Sequence, residues 1–150
     1  MILAALALAL APPATLPPAD RDAALRAAGF TAGKGGWHKC PDPGSASYEP
    51  GRIEQAADLN GDGLPEAIVV EGSATCFGNA GYSYALVSKT SAGWRLVTQG
   101  TGMVTVLPTR GAGGWPDLEI GGPGFCFPVM RWNGRAYALH RRQYEGKPCR

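Results

Sequence analysis

From Gly51 onward the chain is a succession of short apolar runs, none longer than one strand, cut by turns that carry glycine or asparagine. Eight segments mix β-branched or aromatic residues with polar ones: 52–57, 66–71, 82–88, 94–99, 103–107, 118–120, 127–132 and 136–141. Such side chains suit a pleated, half-buried surface, and runs of this length are too short to stand as helices. Asn60-Gly61, Ala92-Gly93 and Asn133-Gly134 stand where turns need positive φ, and Trp132-Asn133-Gly134-Arg135 is the strongest hairpin signal in the chain. These features constrain the fold to a mainly β, antiparallel class.

A repeat runs through the same region. The residues from Gly63 to Cys76 align, after one gap, with those from Gly114 to Cys126; each set opens on Gly-x-Pro-acid, ends on Cys, and is followed by two strands. The units, about 52–100 and 103–142, each hold three or four strands, close to one propeller blade. Two blades cannot close a ring of four or more. The expected architecture is a compact antiparallel two-sheet domain made of two blade-like repeats. Stacked face to face or paired edge to edge, they bury Ile68, Val70, Leu86, Val97, Leu118, Ile120, Val129 and Leu139. A chain of 150 residues fits one such domain, taken as 20–150. Ahead of it a short helix is expected, with Asp20 as cap, Ala and Arg through residue 28, Gly29 as stop, and Leu25 and Phe30 pinned to the body. Residues 31–50, rich in Gly, Pro and Ser, read as a loop with one short strand near 37–40.

One stretch has a chemistry of its own. In Asp58-Leu59-Asn60-Gly61-Asp62-Gly63-Leu64-Pro65-Glu66, oxygen-bearing side chains fall at positions 1, 3, 5 and 9. A hard cation such as Ca²⁺ takes six to eight oxygens at about 2.3–2.6 Å. A loop that turns alternate side chains inward, with Gly63 for the reversal, can supply them. Position 12 is Val69, inside an apolar run that favours a strand, and Pro65 opposes a helix, so this is not an EF-hand. The loop followed by Ala-Ile-Val-Val resembles the FG-GAP/VCBS repeats of integrin-like β-propellers, over about residues 53–72. That resemblance implies Asp58, Asn60, Asp62 and Glu66 as side-chain ligands of Ca²⁺ and Leu64 as a backbone ligand. Asn60 and Glu66 stand where that family more often has Asp. The rival reading is an Asx/Gly-rich hairpin turn without metal. In the second repeat the loop is gone: Arg110 stands in a ligand's place and only Asp117, matching Glu66, remains, so one site is expected.

Residues 2–11 are apolar, too short for a membrane span, and break at Pro12-Pro13; with the segment to 19 they read as a signal peptide. Export to a secreted or periplasmic location accords with four cysteines and no CxxC spacing, which point to two disulfides. Sequence alone allows three pairings. Cys76 and Cys126 occupy matching repeat positions, which ranks Cys76–Cys126 with Cys40–Cys149 first. Charge is uneven: residues 1–75 carry 5 Lys/Arg against 9 Asp/Glu, and residues 76–150 carry 9 against 3. The basic end, with Arg131, Arg135, Arg141, Arg142, Lys147 and Arg150, is either a solvated strand face and tail or a surface for an anionic partner. Nothing matches a nucleic-acid module.

Catalytic signals are thin. No GxSxG, HExxH or P-loop occurs, and the two histidines, His38 and His140, stand in a loop and on a strand face. The Gly-rich segments 72–81 and 121–125 open no helix and carry no Lys. Trp94, Trp115, Trp132, Tyr82, Tyr84 and Tyr137 read mainly as core, with a subset near Phe77 and Phe125 open to a ligand. The expectation is a non-enzymatic exported calcium-binding β-domain with a structural or binding role. The alternative is an inhibitor or cell-envelope binder using the Gly-rich loops and basic C-terminus, and behind it stands a hydrolase using the acidic loop.

Overall fold

The computed structural model describes residues 15–150. Helix α1 (Pro18–Ala27) comes first, then a small hairpin of β1 (Thr31–Gly33) and β2 (Gly36–His38). Strands β3 (Glu49–Ala57), β4 (Glu66–Gly72), β5 (Tyr82–Thr90) and β6 (Gly93–Thr101) form an antiparallel meander that the hairpin extends to six strands, in sequence order. One turn of helix, α2 (Ala74–Phe77), lies between β4 and β5. Gly102 alone separates β6 from β7 (Met103–Arg110), where the chain passes to the second sheet. There β8 (Pro116–Gly121), β9 (Phe127–Trp132), β10 (Tyr137–Tyr144) and β11 (Lys147–Pro148) complete a five-stranded meander. The mainly β, two-sheet antiparallel expectation is met, and all eight expected strands are present. The sheets are wider than three or four strands: β2 is the short strand expected near 37–40, and β1 and β11, three and two residues long, have no alternation to read. β2 and β11 pair with the edge of a longer neighbour, and β1 folds back on β2 as a hairpin. The leader proposed for 1–19 falls largely outside the described residues, and α1 already begins at Pro18.

Three layers result. On one face of the first sheet Ala56, Ala67, Val69, Ala85 and Val87 pack against Ala24 and Leu25 of α1 and Ala28 at its C-terminal cap, with Phe30 closing the end. Alanines on both sides let the helix lie close to the strands. Between the sheets Ile68, Val70, Tyr84 and Leu86 meet Trp115 and Leu118, with Val104, Val106, Ile120, Met130 and Trp132 around them. Burying each large side chain of this set contributes about 1.5–3 kcal/mol. The helix differs from expectation at its start: Pro17 holds the cap position, and Asp20, in the first turn, accepts from Lys89 Nζ and Trp94 Nε1, both at 3.0 Å. Asp20 thus ties α1 to the β5–β6 turn. One of the expected core positions falls elsewhere: Leu139 is 55% exposed beside a register shift in β10, while Val129 is buried as expected, on the face of the second sheet that carries Glu119.

The two sheets stack in the same sense. In β4, Glu66, Ile68 and Val70 face the second sheet while Ala67 and Val69 face α1; in β8, Leu118 and Ile120 face the first sheet while Asp117 and Glu119 face outward. Matching positions of the two repeats therefore point the same way, as in successive propeller blades. A pseudo-twofold would have turned them toward each other. This overturns the cysteine pairing expected from the repeat. The bonds are Cys40–Cys76 and Cys126–Cys149, neither Cys76–Cys126 nor Cys40–Cys149. Equivalent points of stacked sheets lie about one sheet spacing, ~10 Å, apart, beyond the ~4.4–6.8 Å between Cα atoms that a disulfide spans. Each bond instead closes one sheet: Cys40–Cys76 anchors the segment before β3 to α2, and Cys126–Cys149 ties the start of β9 to the end of β11.

Candidate metal centre

The turn between β3 and β4 is built by its own polar side chains. Asp58 Oδ1 accepts from Gly61 N at 2.9 Å and Oδ2 from Gly63 N at 2.8 Å. Asn60 Oδ1 accepts from Asp62 N at 3.1 Å, and Asp62 Oδ1 from Leu64 N at 2.8 Å. Gly61 and Gly63 take φ of 80° and 85°, the left-handed region that a β-carbon disfavours, so a side chain at either would strain the loop. These bonds fold the segment into a coil whose oxygens converge.

Glu66, the first residue of β4, is the floor. It is fully buried; Oε1 accepts from the N–H groups of Leu59 at 2.8 Å and Asn60 at 3.2 Å, and Oε2 from Ser88 Oγ at 2.7 Å. Burial pushes the Glu66 carboxyl above its usual range. The three donors pull it down and the Asp62 charge pushes it up again, leaving a net rise. No cationic side chain is bonded to it among the described residues. Oxygens of Asp58, Asp62 and Glu66 all lie within 4.8 Å of one another. Donors around one ion at about 2.4 Å are at most about 4.8 Å apart, so the triad matches the reach of a Ca²⁺ shell. A set made only of oxygens selects a hard cation over zinc or copper. The residues present therefore fit a divalent metal. Asn60 and Leu64, also expected as ligands, sit in the same coil; the Leu64 side chain is 37% exposed, so its part in a site falls to the backbone.

The second sheet answers the same problem differently. Asp117, which matches Glu66, is also fully buried, but Arg131 Nε and Nη2 bind its two oxygens at 2.9 and 2.8 Å. Thr109 Oγ1 donates at 2.6 Å and Arg141 Nη1 approaches to 3.4 Å. Burial alone would raise this carboxyl; the arginines and Thr109 bring it down to about 2. Glu66 lies opposite Ser88 in the β4–β5 ladder, and extending the β8–β9 register places Asp117 opposite Arg131. The serine of one repeat is the arginine of the other.

Arg110, read from sequence as the residue that destroys a second site, also has a positive task. Its Nη1 donates to the carbonyls of Leu59 at 2.7 Å and Gly114 at 2.6 Å, buttressing the 58–66 loop from the second sheet. A β-carbon at Gly114 would stand 2.8 Å from the Asn60 carbonyl, so the two turns touch. Nothing in the order of residues signals that contact.

Of the other residues singled out, His140 is exposed, whereas His38 is bonded at both ring nitrogens. Among the aromatics, Trp115 and Tyr84 are buried, and Phe125, 75% exposed, packs its edge on Tyr144. A carboxylate that sequence reasoning passed over, Glu71, is fully buried under the segment after β2. Its signal was available: an acid directly after the apolar run 67–70, still within the strand, where alternation places it on the helix-side face.

Fold and site together define a two-sheet antiparallel β protein with an acidic loop able to hold a divalent metal. Comparison of the chain with protein-family models, curated proteins and solved structures finds no match. Two disulfides fit an oxidising, extracellular-type location, and among the described residues no helix is long and apolar enough to cross a membrane.

Proposed function

We propose that this chain is an exported β protein whose 58–66 loop holds one Ca²⁺, in the manner of an FG-GAP/VCBS loop, with a structural or binding role. Asp58, Asn60, Asp62 and Glu66 are its side-chain ligands and Leu64 its backbone ligand. The observation that carries this reading is the convergence of Asp58, Asp62 and the buried Glu66 within 4.8 Å, with no arginine or lysine ion-paired to them among the described residues. The ion neutralises the acids and fixes β3 against β4, so its binding free energy adds to folding free energy. Oxygens this close suit one shared cation better than two carboxylates flanking a sugar bond, which stand about 5 Å or more apart. Calorimetric titration of the metal-free protein is the test. Saturable one-site Ca²⁺ binding is expected, and its absence at millimolar calcium overturns the reading.

The binding role draws on exposed side chains of the second sheet. Phe125 stands out from the glycine-rich turn before β9, Arg142 and Lys147 are exposed on β10 and β11, and Arg135 is exposed in the β9–β10 turn. An anionic envelope polymer or acidic protein is the matching partner. Charge reversal at Arg142 and Lys147 tests it; Arg141 is unsuitable because it braces Asp117.

A further inference from the structure

Glu71 sits at the centre of a second polar cluster, on the α1 side of β4 and away from the metal loop. It is fully buried, and no lysine or arginine pairs with it among the described residues. Lys39 N donates to Oε2 at 3.0 Å, Cys40 N to Oε1 at 3.0 Å, and Tyr48 Oη to Oε2 at 2.8 Å. The chain of contacts goes on: Tyr48 Oη lies 2.8 Å from His38 Nδ1, and His38 Nε2 lies 2.8 Å from the Lys34 carbonyl oxygen. The His38 and Tyr48 rings are stacked at 17°. One buried acid thus gathers residues 38–48 onto the sheet.

Counting protons along this chain gives a definite result. The Lys34 carbonyl can only accept, so His38 Nε2 carries a hydrogen. Tyr48 has one hydroxyl proton, held firmly because burial and the neighbouring Glu71 charge raise its ionisation well above the ordinary tyrosine range. If Tyr48 gives that proton to Glu71, its oxygen can only accept from His38, so Nδ1 must carry a hydrogen too. If instead Tyr48 donates to Nδ1, the link to Glu71 survives only with a proton on the carboxyl. Either way the complete relay holds one proton more than a neutral imidazole and an ionised carboxylate. Two backbone N–H groups already donate to Glu71, one to each oxygen, so the carboxylate acts as acceptor in these contacts. The extra proton therefore belongs on His38.

We propose that His38, Tyr48 and Glu71 form a proton-gated clasp: an imidazolium paired with a buried carboxylate through one tyrosine hydroxyl. With the proton in place all three links close and residues 39–48 lie tied to β4. Once His38 loses it, Tyr48 can serve only one neighbour, one 2.8 Å contact becomes lone pair against lone pair, and the segment loosens. The clasp tightens in mild acid and weakens as pH rises. Other charged groups nearby are engaged elsewhere. The Lys39 ammonium donates to the Ala28 carbonyl and Gln99; Asp42 accepts from Gly44, Ser45 and Ser73; Glu49 pairs with Arg52; Arg26 lies over the Trp37 ring. The Lys34 side chain is exposed.

The chain has only two histidines, so nitrogen-15 NMR of the ring nitrogens reads the proposal directly. In the intact protein His38 is expected to keep protons on both nitrogens at a pH where exposed His140 has become neutral. In Tyr48→Phe, His38 is expected to lose that second proton together with His140. Deprotonation of both histidines in step in the intact protein overturns the clasp, as does a Tyr48→Phe protein in which His38 behaves as before. Should Tyr48→Phe not fold, amide exchange at Lys39 and Cys40 supplies the second measurement. Corrected for intrinsic exchange, their protection should fall roughly tenfold between pH 6 and pH 8, the worth of one hydrogen bond. That fall should vanish in His38→Asn. An equal fall in His38→Asn refutes the proposal.

Discussion

Glu66 and Asp117 stand at the same place in two repeats, each fully buried at the start of the second strand of a meander, and their surroundings drive them apart. Asp117 has its counter-charge built in: Arg131 grips both oxygens and the carboxyl is drawn down to about 2. Glu66 faces Ser88 where Asp117 faces Arg131, has two more acids beside it, and is pushed above the usual range by burial. A buried carboxylate must be neutralised by a proton, a side-chain cation or a metal. The second sheet uses the side chain. The first has no such side chain among the described residues and instead gathers three acids that could hold an ion from solution. Position in the stack matters as well: Glu66 faces the core between the sheets, where a guanidinium would need room. Asp117 faces outward, where Arg131 and Arg141, about one-third exposed, can cover it and finish the open side of the stack in polar groups.

The sharpest way to break this comparison is Arg131→Leu. It strands the buried Asp117 charge with Thr109 and Arg141 alone, which should cost about 3 kcal/mol in urea unfolding, equally with calcium and with EDTA. A loss no larger than that of Arg135→Leu, at an exposed site, would place the two acids in equivalent surroundings after all. Next comes Asp62→Ala. Intact protein at calcium one hundred times its dissociation constant should gain about 2.7 kcal/mol over the metal-free form. The variant should lose that gain and melt like the intact protein in EDTA. Equal melting shifts in calcium and EDTA would count against the ion.

The two acids also predict opposite responses to pH. Asp117 is depressed in the fold, so its contribution is present above an unfolded value of about 3.9 and is lost as pH falls toward about 2. Glu66 is raised, so in metal-free protein it favours folding below the unfolded glutamate value, and that contribution is lost as pH rises through its elevated folded value. Calcium competes with that proton, so affinity should increase with pH across this interval, beginning above the ordinary carboxylate range. A calcium affinity flat from pH 5 to 7 would argue against Glu66 as a ligand. The smallest effect is expected for Ser88→Ala, which removes one donor to Glu66 and should cost about 1 kcal/mol in metal-free protein.

Much of this was legible from residue order. Alternation and turn residues gave the eight long strands, and the spacing of Asp58, Asp62 and Glu66 identified a loop whose oxygens converge, because local geometry depends on local sequence. The Gly-x-Pro-acid signature marked Glu66 and Asp117 as counterparts. It could not show that one meets a serine and the other an arginine, since those partners come from strands 14 to 22 residues away. The cap assigned to Asp20 failed for the same reason: Lys89 and Trp94, some seventy residues on, outbid the helix end.

By itself the chain determined an antiparallel β domain in two blade-sized units, with one acidic loop and two disulfides' worth of cysteine. Only the tertiary structure decided how the units stack, and that choice set nearly everything else. Same-sense stacking separates matching cysteines by a sheet's thickness, turns Glu66 inward and Asp117 outward, and brings Arg110, read as filling a ligand's place in the second repeat, against the 58–66 loop of the first. Period and spacing describe what one strand presents to its two faces. Which face meets which neighbour is settled by packing across the sheets, and no local pattern carries that information.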